Sequence, residues 1–500
     1  MLVQLYTSRV VLEVLGIDDY GIWCLVASLV VSISFITGPL STATQRFLSY
    51  EIGKGNEKKT NTIFSQSLIL YAIFSAILLI LLETIGLWLL NTKLNIPESK
   101  ITTTNIVFQL SILSFIVTLM RMPYDSMIIA YEKMDFYAYM SILDVGLKLA
   151  IVYMLSIVNS FPHLVVYAIL TLCVTIVITI AYKLFCNHKF ISSRARLAID
   201  RPVIKEMASF SGWSLMGAFA VMTSNQGVSM VLNVFFGVAI NATMGITNQV
   251  GNAVNQFVSN FQLAFNPQIV KMYAQGEYTE LKNLIYKASR FSFLLMLAIA
   301  FPIIYNIDEI LYLWLGDNVP EYTGIFCTLM IVSFLFDSLS APLYMTIQAT
   351  GKIRKYQVLI SSILLSNIIL SYVALNLNFP PVSVMIIRCF ISICCIFTRY
   401  CFTKKQLNFQ FKNYSKNVLL PCFTVTVLCL CGGHLLDKYL IESNNLFICG
   451  LRIVILFTYY TVIMFLGGVS ASERHSIIKM LKNKFKYVKK HFVSWRMGIS

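Results

Sequence analysis

The sequence predicts an all-α polytopic membrane protein: about fourteen transmembrane helices, forming two six-helix lobes related by an axis along the membrane normal, plus two C-terminal helices. Three observations predict it. First, the 500 residues are 57% hydrophobic and 12% charged, with a mean hydropathy of +0.73, too little charge to cover a soluble surface of this size. Second, apolar runs near the ~20 residues a helix needs to cross a bilayer recur along the whole chain. Third, lysine and arginine collect in alternate loops.

The candidate spans lie near 1–17, 21–47, 62–90, 104–130, 136–158, 162–184, 206–236, 242–268, 287–311, 323–349, 357–377, 382–402, 418–435 and 447–468. The first is short for a crossing and carries Arg9 at its middle, so either the helix is short or the true start lies upstream of Met1. Of the 39 Lys and Arg, 29 fall in the even-numbered loops and the C-terminal tail, while the other side holds only Lys93, Lys100 and Lys438. Positive loops stay cytoplasmic, which places both termini on the cytoplasmic side, the N-terminus if the first span is real. The net charge of +16 is therefore topological and no footprint of nucleic acid. No cleavable leader follows Met1. The twelve cysteines include no C-x-x-C and sit mostly in apolar runs, where they act as small packing residues, with no metal site expected.

Beyond Ser470 the tail places Ile478, Leu481, Phe485, Val488 and Phe492 three and four apart with lysines between. That spacing describes a basic amphipathic helix lying on anionic inner-leaflet lipids.

An internal repeat organises the spans. "SFIVTLMRMPYDSMIIAYEKMDFY" from Ser114 aligns without gaps to "SFLFDSLSAPLYMTIQATGKIRKY" from Ser333, an offset of 219, which pairs Pro123 with Pro342 and Lys133 with Lys352. "GNEKKTNTIF" from Gly55 matches "GEYTELKNLI" from Gly276 at nearly the same offset. The expected division is an N-lobe over 1–184, a basic linker over 185–205 and a C-lobe over 206–402. Two further helices over 418–468 and the tail over 469–500 complete it. Lobes of six helices enter the membrane in the same orientation, as parallel repeats do, and such pairs form alternating-access machines with a site between the halves.

Ionisable residues within spans cost roughly 2.5–3.5 kcal/mol each on insertion scales, so they face a cavity or a partner. Arg121 and Asp125 stand one helical turn apart in one span, Asp144 and Lys148 in the next. Counted from the turn at Lys133, Arg121 and Asp144 both reach ~17 Å deep and should share a level. Arg9, Arg46, Arg121 and Lys148 outnumber Asp125 and Asp144, which suits an anionic substrate, the two carboxylates serving as pairing or gating groups. A satisfied structural ion-pair cluster is the alternative reading. In the span over 242–268, Asn248, Asn252, Asn255, Ser259, Gln262 and Asn266 recur at four, three, four, three and four, a single helical face of neutral hydrogen-bonding groups. It reads as a wet wall for sugar hydroxyls, with interhelical bonding as the alternative. Pro123 and Pro342, at equivalent repeat positions, are candidate bending points.

"RVVLEVLGIDDYGIW", "MPYDSMIIAYEKMDFYAYMSILDV", "NQFVSNFQLAFNPQIVKMYAQGE" and "PLYMTIQATGKIRKYQ" together carry a family resemblance from about Leu5 to about Tyr400. The chain resembles the bacterial polysaccharide-export branch of the multidrug/oligosaccharidyl-lipid/polysaccharide transporter superfamily. That branch contains the O-antigen and capsule flippases, relatives of the lipid II flippase and the MATE exporters. It departs from the branch at Asp125, where relatives often carry Asn, and at Tyr131, where they carry His. The resemblance implies flipping of undecaprenyl-diphosphate-linked oligosaccharide from the cytoplasmic to the periplasmic leaflet. It also implies coupling to an H+ or Na+ gradient, and work beside a polysaccharide polymerase and a chain-length regulator. No phosphate-binding G-x-x-x-x-G-K is present, and no cofactor is expected. Two rivals stand beside this reading. A drug or cation exporter would need a net negative cavity. A polymerase or ligase would need a larger external loop than "LYLWLGDNVPEY", and the sequence carries no H-E-x-x-H, so no enzyme is expected.

Overall fold

The structure, a computed structural model, describes residues 11–475 apart from 12–13, 17–18, 20, 28, 31–35, 93–97, 158–161, 195–198, 238, 317–318, 440–445 and 471–472. Arg9 and the amphipathic tail beyond 475 lie outside the described residues. The named elements are all helical. In chain order they begin with α1 (Thr37–Gly53), α2 (Glu57–Leu81), α3 (Ile101–Ala130), α4 (Met134–Ile157) and α5 (His163–Lys189). They continue with α6 (Arg201–Phe236), α7 (Ala239–Gln275), α8 (Tyr278–Tyr305), the short α9 (Ile307–Leu315) and α10 (Thr323–Ala349). The last four are α11 (Arg354–Asn376), α12 (Val382–Leu407), α13 (Leu420–Tyr439) and α14 (Leu446–Ile463).

Eleven helices among the described residues are long and apolar enough to cross a membrane, against the fourteen spans read from sequence. The difference has local causes. The span over 1–17 is mostly outside the described residues, and that over 21–47 is described in part, ending in the 17-residue α1. The span over 242–268 is present as α7, whose amides lower its hydropathy.

Local chemistry sets the helix ends. The Asn56 side chain caps α2 by accepting from the Lys59 amide at 3.1 Å, and the Asp200 carboxylate accepts from the Val203 amide at the start of α6. α12 ends on Asn408 in the left-handed conformation. α2 continues to Thr92 through a π turn over Leu82–Gly86, a local widening of the helix. α3 runs through Pro123 and α10 through Pro342, so each helix lacks one backbone bond at its repeat-equivalent position.

Contacts divide the chain into two compact units that do not follow the sequence halves. Unit 1 holds Met1–Thr223, Leu263–Leu281 and Met345–Leu365; unit 2 holds Ser224–Gln262, Lys282–Tyr344 and Ser366–Ser500. In unit 1, α3 packs against α1, α2 and α5 around Leu82, Leu90, Val107, Phe108, Ile112 and Leu164. In unit 2, Val228, Leu232, Phe326, Met330, Val384 and Met385 form a second core. Large apolar side chains such as Ile142, Tyr153, Val234, Ile369, Phe397 and Phe447 remain exposed, the pattern of helices whose outer faces meet lipid.

Unit 1 also gathers turns from both sequence repeats, which the sequence places on the inner side. A Cβ at Gly53, near the end of α1, would lie 2.8 Å from the Cα and 2.9 Å from the carbonyl oxygen of Lys271, so only glycine lets the two backbones meet there. The Lys271 ammonium lies 2.6 Å from the Glu132 carboxylate, which also accepts from the Gln268 amide at 3.1 Å. Reciprocally, the Arg46 guanidinium donates to the Ala349 carbonyl at 3.2 Å. Glu132 and Gly351 are repeat counterparts at the 219 offset, and both have positive φ, +58° and +76°. Each repeat thus reaches across to the turn that ends the other's proline-containing helix. Burial raises the Glu132 carboxyl, but hydrogen bonds from Lys271 and Gln268 outweigh it and hold it below its ordinary value. The stabilisation from this pair is therefore complete above pH ~4.5 and lost only as the carboxylate protonates below that. Contact between these turns is expected to be unchanged between pH 6 and 8, which cross-linking across the Glu132 turn and Lys271 would measure.

Candidate functional site

In unit 1, α3 carries Arg121 and Asp125 on one face because they are four residues apart, and the pair closes within the helix: Arg121 Nε lies 3.3 Å from Asp125 Oδ2. The guanidinium also sits over the Tyr182 ring of α5, 5.3 Å from its centre. The other Asp125 oxygen, Oδ1, is buried without a hydrogen-bond partner. Yet the two side chains keep 23% and 19% of their accessible surface. The pair is therefore within reach of a ligand or water from outside the helix packing. An unsatisfied buried carboxylate oxygen beside a guanidinium leaves room for a further donor or a water.

Arg46 lies in the same unit but in another setting. It is buried, it faces the Phe47, Tyr50 and Phe210 rings, and it donates to the Ala349 carbonyl. Its environment makes it part of the junction between inner turns. Lys148 and Asp144 pair with each other at 2.7 Å, also within one helix, and the lysine keeps 54% of its surface. They stand on α4 among exposed Ile142, Leu143 and Val145. The structure therefore brings Arg121 and Asp125 together and puts Lys148 on an accessible face. An i, i+4 ion pair satisfies itself locally, which is why Asp144 turns to Lys148 before Arg121.

The polar face of α7 is accessible throughout. Asn252 and Ser259 are exposed, while Asn248, Asn255, Gln262 and Asn266 are partly so. Val254, Val258 and Phe265 turn inward. Among the described residues, no hydrogen bond joins this stripe to another helix; Ser259 donates to the Asn255 carbonyl of its own helix. The interhelical-bonding alternative finds no support in these contacts.

Unit 2 holds a charge cluster that sequence reading passed over. Asp337 of α10 faces Arg399 and Arg388 of α12 and accepts from Ser392. Arg388 donates to Ser333 Oγ at 3.3 Å and to Asn225 Oδ1 at 3.0 Å, and Arg399 donates to Ser340 Oγ. Asp337 is the sole acidic residue within α10, α11 and α12, which was the available signal. It went unused because the repeat pairs it with Thr118 and its partners lie on a helix distant in sequence. Among the described residues no group of His, Cys, Asp and Glu is arranged to hold a metal.

The MatE family model matches residues 214–373. No curated protein matches the chain. Several solved structures do. A MATE in the straight conformation superposes with a TM-score of 0.71 at 13% identity, over 81% of this chain and 92% of its own. An outward-facing multidrug resistance MATE family transporter of the MOP superfamily gives 0.68 at 14%, over the same shares. A MOP superfamily transporter from Pyrococcus furiosus, described by the reverse polarity of its binding pocket, gives 0.66 at 13%, again over 81% and 92%. At such identities the likeness shows the fold: this chain is a polytopic membrane protein with the fold of the MATE transporters.

Proposed function

We propose that the protein flips an anionic, diphosphate-linked oligosaccharide lipid from the cytoplasmic to the outer leaflet by alternating access between its two repeats. One observation carries the reading: in unit 2, two guanidiniums within the spans, Arg388 and Arg399, face one carboxylate, Asp337. Buried surplus positive charge is costly in a membrane and is retained where an anion uses it. A planar guanidinium matches phosphate oxygens in a two-pronged fashion. The accessible amide stripe of α7 supplies neutral partners for sugar hydroxyls. The junction of inner turns around Gly53, Lys271 and Glu132 supplies the contact that must break for a cytoplasmic-side opening.

Drug or cation export is the second reading that the fold allows, and the charge balance disfavours it. Both readings are transport without covalent chemistry. The work of a polymerase and a chain-length regulator would begin where the flipped unit emerges, and the basic tail would hold the chain's end against anionic inner-leaflet lipids.

The test is the leaflet distribution of diphosphate-linked oligosaccharide in cells depleted of this protein, read with a membrane-impermeant glycosidase. Completed units should accumulate several-fold on the cytoplasmic side. If they reach the outer face at the normal rate, the flippase reading is wrong.

A further inference from the structure

The repeat offset places Ser340 opposite Arg121 and Tyr344 opposite Asp125. On sequence alone the second repeat has lost its guanidinium at this level. In the structure it has one. Arg399, reaching from α12, donates to the Ser340 hydroxyl and lies over the Tyr344 ring, 5.5 Å from its centre. Repeat 1 supplies the guanidinium from α3, against a tyrosine ring of α5. Repeat 2 supplies it from α12, against a tyrosine ring of α10. The two ingredients have exchanged helices, and a guanidinium against a tyrosine occurs at the same register in both.

Charge bookkeeping separates this cluster from an ordinary structural pair. α10, α11 and α12 offer one carboxylate, Asp337, to two interior guanidiniums, Arg388 and Arg399. Arg388 is further held by Ser333 and Asn225 and faces the Phe334 ring. The neutral partners satisfy N–H groups without cancelling charge, so the cluster keeps one net positive charge within a membrane-spanning bundle. A replaceable anion is the partner that such a surplus calls for.

Resting on the transport reading above, we propose that Arg399, with Arg388 and Asp337 behind it, forms a second phosphoanion subsite in the second repeat, distinct from the one at Arg121. Its ligand class is a phosphate or diphosphate monoester. Arg399 makes the fork to the phosphoryl oxygens, and Asp337 positions the two arginines.

Titration of the intact protein with inorganic diphosphate, in nanodiscs of neutral lipid, tests this by calorimetry. Two diphosphates per chain are expected. Arg399→Gln should remove one and Arg121→Gln the other, each weakening its own site at least tenfold. The exchange Ser340→Arg with Arg399→Ser rebuilds the repeat-1 arrangement on α10, and it should restore the second site should Arg399→Gln alone fold poorly. One bound diphosphate, lost in Arg121→Gln and indifferent to Arg399→Gln, would overturn the subsite and leave the transport reading standing. No binding at either site would sink the anionic-substrate reading as well. Repeating the titration in discs containing phosphatidic acid names the source. A count falling to one in these discs, through loss of the Arg399 site, assigns it to a lipid phosphate. An unchanged count of two assigns it to a phosphate on the water side. Both outcomes keep the subsite.

Discussion

Arg121→Ala is expected to lower transport roughly 30-fold or more while leaving near-normal amounts of protein in the membrane. The guanidinium is a partly accessible cationic group within a membrane-spanning helix of unit 1, with its Nε on Asp125 and its plane over Tyr182. Its removal withdraws a charged hydrogen-bond donor from an anionic substrate, a loss of about 2–5 kcal/mol for buried charge pairs. It also strands the Asp125 carboxylate, one oxygen of which already lacks a partner. That second effect acts on folding and must be separated from the first. The double variant Arg121→Ala/Asp125→Asn removes both charges, so it should fold at least as well as the single one and remain inactive. Asp125→Asn alone should keep most of the transport, because the guanidinium then loses a competitor for its ligand. Surface glycan displayed at normal levels by Arg121→Ala would remove the site from consideration.

Gly53→Leu should abolish transport by a different route. The new Cβ would meet backbone atoms of Lys271 at 2.8 and 2.9 Å, and backbone cannot swing aside as a flexible side chain can. α1 and the end of α7 would be held apart, with each helix intact. A same-helix control exists in Gly38, where an added Cβ meets nothing within 4 Å; Gly38→Ala should be close to neutral. The charge pair at this junction is weaker, since both groups are partly solvated, and about 1 kcal/mol is the expected scale. Glu132→Lys and Lys271→Glu should each slow transport by a few-fold, and the exchange of the two should recover it. Wild-type glycan export by Gly53→Leu would mean that the inner turns need not close for turnover.

Much of the architecture was legible because it rests on composition and period. The apolar spans, the alternating basic loops and the 219-residue offset are properties of the chain itself, and the helices fall where they indicate. Arg121 with Asp125 was legible for the same reason, since a four-residue spacing closes within one helix. Lys148 follows the same rule, with its partner Asp144 one turn away on the same helix at 2.7 Å. Asp337 was hidden because its cations come from another helix, and no spacing along one helix announces that. Glu132 and Lys271 were hidden differently: loop charges had already been explained as topology, and pairing across a repeat leaves no local pattern.

The polar stripe of α7 has a consequence for what kind of discrimination this protein can exercise. Amides and a hydroxyl present both donors and acceptors on rotatable side chains, and those described here are not fixed by bonds to another helix. Such a surface cannot reject one hexose in favour of its epimer, because either finds a partner after a small torsion. Under the proposed function, identity would be checked at the phosphates, and the glycan would pass largely unread. A cell that acquired new glycosyltransferases could then change its coat without changing its exporter.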